Sequence, residues 1–111
     1  MPKSDRHDLL PGTLDMLVLK ILASGPMHGY GIAQQLHALS REALSVEEGS
    51  LYPALQRMRQ KGWISAEWKQ TPNNQRARVY TITAAGRKHL GAAVARFGDL
   101  IAVITGILRN A

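Results

Sequence analysis

SVEEGSLYPALQRMRQKG, residues Ser45 to Gly62, is the stretch whose reading decides the fold. Leu51, Leu55 and Met58 stand at i, i+4 and i+7, so on a helix they form one apolar stripe. Tyr52, Gln56 and Arg59 repeat that spacing on an adjacent face, and none of the three is an obvious core residue. Aromatic, amide and guanidinium groups along one helical face are groups that DNA can meet. Gly62 supplies the stop. Two starts compete. Ser45 to Glu48 has the S-x-x-E capping-box pattern, and Gly49-Ser50 marks a second. Proline is tolerated in the first turn and disruptive later. A helix capped by Ser45 therefore kinks or loosens at Pro53. The start is placed between Val46 and Ser50.

Upstream, Thr13 is a plausible N-cap for a helix over Leu14 to Ala23, with Asp15 in agreement with the N-terminal dipole. Leu14, Leu17, Val18, Ile21 and Leu22 make a continuous apolar face that Met16 and Leu19 widen. A face this wide implies burial on two sides, against this domain and against a second subunit. Ser24-Gly25-Pro26 ends the helix. A second helix is expected from about Gly29 to Leu39, with Ile32, Leu36 and Leu39 inward. Gly29 and Gly31 near its start cost roughly 1 kcal/mol each relative to alanine. They make sense if another backbone docks closely there. Ser40 to Leu44 is the turn, and residues 1–12 read as a polar arm.

Downstream, Trp63 to Lys69 reads as a strand, Gln70 to Gln75 as a turn, and Arg76 to Thr83 as a second strand. Tyr80 and Ile82 share one face of it, and Val79 and Thr81 the other. From Thr83 or Ala84 to about Leu108 a last helix follows. On it Leu90, Val94, Phe97, Ile101, Ile104 and Leu108 alternate 4-3-4-3-4, a heptad seam. Leu100, Val103 and Ile107 broaden the seam, and Gly91, Gly98 and Gly106 permit close helix approach. So apolar a helix needs a partner, and the economical one is its own copy in a two-fold dimer. The alternative is that it folds back on its own domain. The first three helices already supply apolar surface for a core, which favours self-association.

The 111 residues suit one domain, and an apolar share of 45% excludes a disordered chain. With no cysteine there are no disulfides, no thiolate zinc site and no cysteine nucleophile. MPKSDRHD is polar and mixed in charge, unlike a signal segment. No uninterrupted apolar run has the length of a bilayer crossing. A cytoplasmic protein without membrane contact is expected. The net charge of +6 is unevenly placed. Residues 63–90 hold Lys69, Arg76, Arg78, Arg87 and Lys88 against Glu67 alone. A local basic excess favours a polyanion partner, although a solubilising surface explains charge by itself.

Three short helices followed by a hairpin with basic residues at its tip is the order of a winged helix-turn-helix. The expected fold is mainly α with a small β-hairpin, a winged-helix domain over 13–83 and a C-terminal dimerisation helix over 84–111. In that arrangement Ser50 lies near a helix N-terminus, where backbone N–H groups favour phosphate. Tyr52 offers a hydroxyl, Gln56 suits adenine, and Arg57 or Arg59 reaches guanine or phosphate. Arg76 and Arg78 suit phosphate or a narrow minor groove. Glu47 and Glu48 oppose DNA unless they cap the helix or pair with a base. Taken singly, each residue also reads as a solvated surface position, and for Arg59 and Lys61 the two readings balance.

These residues resemble the PadR-type bacterial transcriptional regulators. The likeness rests on Leu17-Val18-Leu19, His28-Gly29-Tyr30, Glu48 to Leu55 (EGSLYPAL), Lys61-Gly62-Trp63-Ile64, and Arg78 to Thr83 (RVYTIT) with Gly86. It runs from about Leu10 to Leu90. The resemblance implies a dimeric winged-helix repressor on operator DNA, with Ser50, Tyr52 and Pro53 at the DNA surface beside the wing residue Arg76. The chain departs from the pattern at Asn73-Asn74-Gln75, where many members are glycine-rich, and at Val79, where an aromatic or basic residue is common. With one helix after the wing it resembles the short subgroup. Some of those bind flat aromatic drugs against a tryptophan of the last helix. Here no tryptophan follows Trp68, and Phe97 is that helix's one aromatic. Room for a small-molecule effector in the dimer seam remains.

An enzyme is the competing class. His7, His28, His37 and His89 are scattered without metal-ligand spacing, and no nucleophile elbow or phosphate loop occurs. No catalytic residue, metal or cofactor is expected, and His28 reads as a helix-entry residue. A second alternative is a winged-helix interaction or accessory module that does not read DNA. The salt dependence of duplex binding separates it from a regulator.

Overall fold

The computed structural model describes residues 12–111. The elements run α1 Thr13–Leu22, β1 Met27–His28, α2 Gly29–Leu39, α3 Glu48–Gln60, β2 Ile64–Gln70, β3 Arg76–Ile82 and α4 Ala84–Asn110. The architecture is mainly helical, with one antiparallel sheet ordered β1-β3-β2. The polar arm expected over 1–12 lies outside the described residues, apart from Gly12.

One core joins the first three helices to the sheet. Val18, Leu19 and Leu22 of α1, Ile32 and Leu36 of α2, and Leu51, Leu55 and Met58 of α3 close on Ile64, Tyr80 and Ile82. The i, i+4, i+7 stripe of α3 is fully buried. Each such aliphatic side chain contributes about 1.5–3 kcal/mol by leaving water. Truncating Leu55 to alanine removes both that burial and its packing, at about 2–5 kcal/mol.

The helix ends show local causes. α3 stops in a Schellman arrangement. Trp63 N–H donates to the Met58 carbonyl at 3.0 Å, and Gly62 N–H donates to Arg59 at 3.0 Å. Gly62 sits at φ 78°, a left-handed conformation that a side chain disfavours. The α3 start falls within the expected window, but Ser45 does not cap it. The N-cap is Glu47, and Pro53 lies in the second turn, where it leaves the Gly49 carbonyl without its helical donor. Nor does Thr13 cap α1. It is the first helical residue, and Gly12 at φ 85° precedes it. Helix α2 has the expected limits, but Leu39 in its last turn is 71% exposed rather than inward.

The wing is a paired β2–β3 hairpin, with Trp68 opposite Arg78 and Gln70 opposite Arg76. Asn74, at φ 63°, turns the chain, and its side chain bonds that of Gln70. Gln75 N–H donates to Thr71 Oγ1 at 3.2 Å. The two-residue β1 was not expected. It pairs Met27 with Tyr80 and His28 with Val79, tying the entry of α2 to the wing.

Thr83 caps α4, accepting from Gly86 N–H at 3.0 Å and donating to the Gly62 carbonyl at 2.6 Å. Thr83 N–H also donates to the Trp63 carbonyl at 3.0 Å. The start of α4 is thereby bonded to the end of α3. Past Leu90, which packs on the core, α4 leaves Val94, Phe97, Leu100, Ile101, Val103, Ile104, Ile107 and Leu108 exposed. Its first half lies beside α1, but none of these apolar side chains is buried against the described residues of its own domain. By length and composition α4 is also apolar enough to cross a bilayer. The expectation concerned uninterrupted apolar runs, and Arg96 and Asp99 interrupt this one.

Candidate nucleic-acid interface

On α3 the helical period places Gly49, Pro53, Gln56 and Gln60 opposite the buried stripe, and all four are exposed. Tyr52 and Arg59 flank that outer face on one side, Ser50 and Arg57 on the other. The Tyr52 flank turns towards the wing. A groove of about 510 Å³ separates them, lined by His28, Tyr30, Tyr52, Trp68, Arg76 and Arg78, with Tyr80 at its base. The structure thus brings together Tyr52, Arg76 and Arg78.

The groove is built by small residues and alternation. The Tyr52 ring lies on Gly29, where an added Cβ would be 2.8 Å from Cε1 and 2.9 Å from Oη. The close approach expected at the start of α2 is therefore real. It comes from a side chain of α3 rather than from a backbone. His28 is the helix-entry residue expected, its Nδ1 accepting from Gly31 N–H at 2.9 Å. In the wing the two-residue strand period sends Trp68, Arg76, Arg78 and Tyr80 to one face, and Glu67 and Lys69 to the other. Glu67 and Lys69 pair there at 3.4 Å. Burial pushes the Tyr80 phenol above its ordinary 10.0 against the lowering effect of Arg78, so Tyr80 remains a neutral hydroxyl. The groove face is basic and aromatic.

The remaining nominated residues stand apart from the groove. Ser50 and Pro53 are exposed on α3. Gln56 accepts from Arg59 Nη1 at 3.0 Å. Arg57 points to the far flank, where Nη2 meets Asp15 Oδ1 at 2.9 Å. Its side chain is 51% exposed, while that of Asp15 is 10% exposed. The carboxylate buried at the start of α1 thus takes its counter-ion from α3. Sequence reasoning read Asp15 as a helix-dipole residue, because a pairing 42 positions apart has no local signature.

A second concavity of about 650 Å³ lies on that flank, between α1, the end of α3 and α4. Its lining includes Arg57, Lys61, Trp63, His89, Arg96 and Phe97. The Trp63 and His89 rings stack at 3.6 Å between centroids, and Lys61 Nζ sits 4.7 Å from the centre of the Trp63 ring. Burial lowers the His89 pKa from 6.5, and the Arg96 and Lys61 charges lower it further.

Trp68 and Tyr30 line the groove but were not nominated as site residues from the sequence. For Trp68 a signal existed, since it shares strand parity with Gln70 and faces the arginines once the hairpin register is set.

The fold and groove define a winged-helix protein whose third helix and wing present one continuous exposed surface. The sequence matches the Transcriptional regulator PadR-like family over residues 18–92. The chain belongs to the PadR-like family of transcriptional regulators, a class of DNA-binding proteins rather than enzymes. Among solved structures it is similar to a transcriptional regulator from Clostridium thermocellum, at 25% identity and TM-score 0.80, covering 86% of this chain and 92% of that one. A PadR family transcription regulator from Clostridium difficile matches at 29% identity and TM-score 0.75, over 87% and 99%. A PadR-like regulator from Bacillus cereus matches at 25% and 0.76, over 90% and 95%.

Proposed function

We propose that the chain is a dimeric bacterial repressor that works in the cytoplasm. It binds a two-fold symmetric operator through the helix around 46–61 and the wing around 70–78. One observation carries this reading: Tyr52 of α3 and Arg76 and Arg78 of the wing face a single open groove that, among the described residues, is lined by no carboxylate. The outer face of α3, with Pro53 and Gln56, enters the major groove, and Ser50 sits at the helix end that favours phosphate. The wing arginines take the adjacent backbone or minor groove. Arg57 has its Nη2 engaged by Asp15 on the far flank from the wing, so it is the weakest of the nominated contacts.

The division into an arm at 1–12, a reading domain at 13–83 and a dimerisation helix at 84–111 belongs to the same proposal. Of the six residues expected in the seam, Leu90 packs on the core of its own domain, and the heptad spacing and exposure of Val94, Phe97, Ile101, Ile104 and Leu108 support a seam between two copies of α4. Phe97 and Leu100 line the 650 Å³ concavity and also belong to the seam region, so a small molecule bound there would touch both α3 and the dimer helix.

The test is the salt dependence of duplex binding by the wild type and by Tyr52→Ala and Arg76→Ala. Log K should fall linearly with log salt, with a slope of about −0.9 per phosphate contacted. Both variants should bind more weakly with unchanged circular dichroism. Wild-type affinity in both variants would show that the reading surface lies elsewhere. No salt-dependent duplex binding at all would favour the accessory-module reading.

A further inference from the structure

Trp68 is 55% exposed on the wing, so burial of its ring does not account for its position. Two cations do. The Arg76 guanidinium lies 5.1 Å from the ring centroid and the Arg78 guanidinium 5.5 Å, both within the range of about 6 Å at which a cation is drawn to a ring face. The register explains the pair. Arg78 is directly opposite Trp68, and Arg76 is one same-face rung further on. Directly opposed side chains touch, and long ones also reach along the diagonal. The wing's carboxylate, Glu67, is on the opposite face with Lys69, so it does not hold these arginines. Arg78 Nε is shielded from solvent and has no hydrogen-bond acceptor among the described residues. The ring, rather than a carboxylate, is what faces its charge.

We propose that Trp68 is a positioning residue for nucleic-acid contact, one aromatic ring holding both wing guanidiniums along the groove that faces Tyr52. The inference rests on the reading of the wing as a DNA contact. Arginine is among the side chains with most rotamer freedom to lose on binding. Two arginines confined in advance lose less of it when they meet phosphate. A carboxylate would confine them as well, but it would neutralise them and repel DNA. A ring face restrains them and leaves their charge intact.

The experiment is a double-mutant cycle on binding to a fluorescent duplex of about 40 base pairs, long enough for two half-sites one turn apart. Trp68→Leu is measured in the wild-type background and in an Arg76→Ala/Arg78→Ala background, with thermal melts run on every protein. In the wild-type background Trp68→Leu should weaken binding about tenfold, whereas Trp68→Phe, which keeps a ring face, should stay within about threefold. In the background without the arginines, Trp68→Leu should change affinity less than about twofold. An equal loss in both backgrounds overturns the positioning role, because a purely structural ring or one that stacks on DNA itself acts without the arginines. An equal loss for Trp68→Phe and Trp68→Leu also overturns it, and the Phe variant remains informative if Leu disturbs the hairpin. If replacing both arginines leaves binding at the wild-type level, the wing contact itself fails and the inference falls with it.

Discussion

Gly29 and Gly86 are both glycines because something else occupies the place of a side chain, yet their replacements should behave oppositely. At Gly29 the obstacle is the exposed Tyr52 ring, which can swing into solvent. Gly29→Ala should therefore fold with equal or greater stability, since alanine favours α2 by up to about 1 kcal/mol. It should bind DNA about fivefold more weakly, the loss expected when one hydrogen-bonding side chain is displaced. At Gly86 a Cβ would lie 2.0 Å from the Trp63 carbonyl oxygen, a backbone atom in the junction between α3 and α4. Gly86→Ala should lower stability by about 3 kcal/mol or more, through overpacking and loss of the Thr83 cap. Thermal melts beside duplex titration separate the two cases. His89 adds a pH dependence. Its folded pKa lies below the unfolded value of 6.5, so the unfolded chain binds the proton more readily. The stability linked to neutral His89 is present above about pH 6.5 and is lost as pH falls from there towards the folded pKa. Melts between about pH 7.5 and 5.5 should show this fall, and His89→Gln should flatten it.

Among elements, what the sequence disclosed and what it hid follow from range. The stripe Leu51, Leu55, Met58 and the limits of α2 were legible because periodicity over three turns is a local signal, and Gly62 ended α3 as expected. The caps of α1 and α3 were not, because Thr13 and Ser45 were competent caps that tertiary packing did not use. Strand β1 was missed since two residues carry no period. Leu39 looked inward by spacing, but α2 ends before anything covers it. In the site, Tyr52, Arg76 and Arg78 were legible as chemistry. Their convergence on one groove was not, because it depends on Gly29, on the strand register and on the bonded corner of Thr83, Gly62 and Trp63. The heptad pattern of α4 was legible, and the exposure of its apolar face supports the proposed self-association. Phe97→Asp or Ile101→Asp should therefore give monomers or aggregates by light scattering. An unchanged dimer mass would place the interface elsewhere.

Across the whole molecule, charge and symmetry should work together. The basic excess of residues 63–90 falls partly on the wing, and α4 begins at the base of that wing. A dimer built along α4 carries two α3–wing surfaces, related by the two-fold axis of the seam. Two such surfaces meeting one side of a duplex require half-sites about one helical turn apart, roughly 34 Å. Selection of bound duplexes from a random pool by the purified protein reads affinity, symmetry and spacing together. The account predicts an inverted repeat with half-site centres about 10 base pairs apart, lost with Arg76→Ala. Recovery of sequences without two-fold symmetry, or no enrichment over the starting pool, would contradict it.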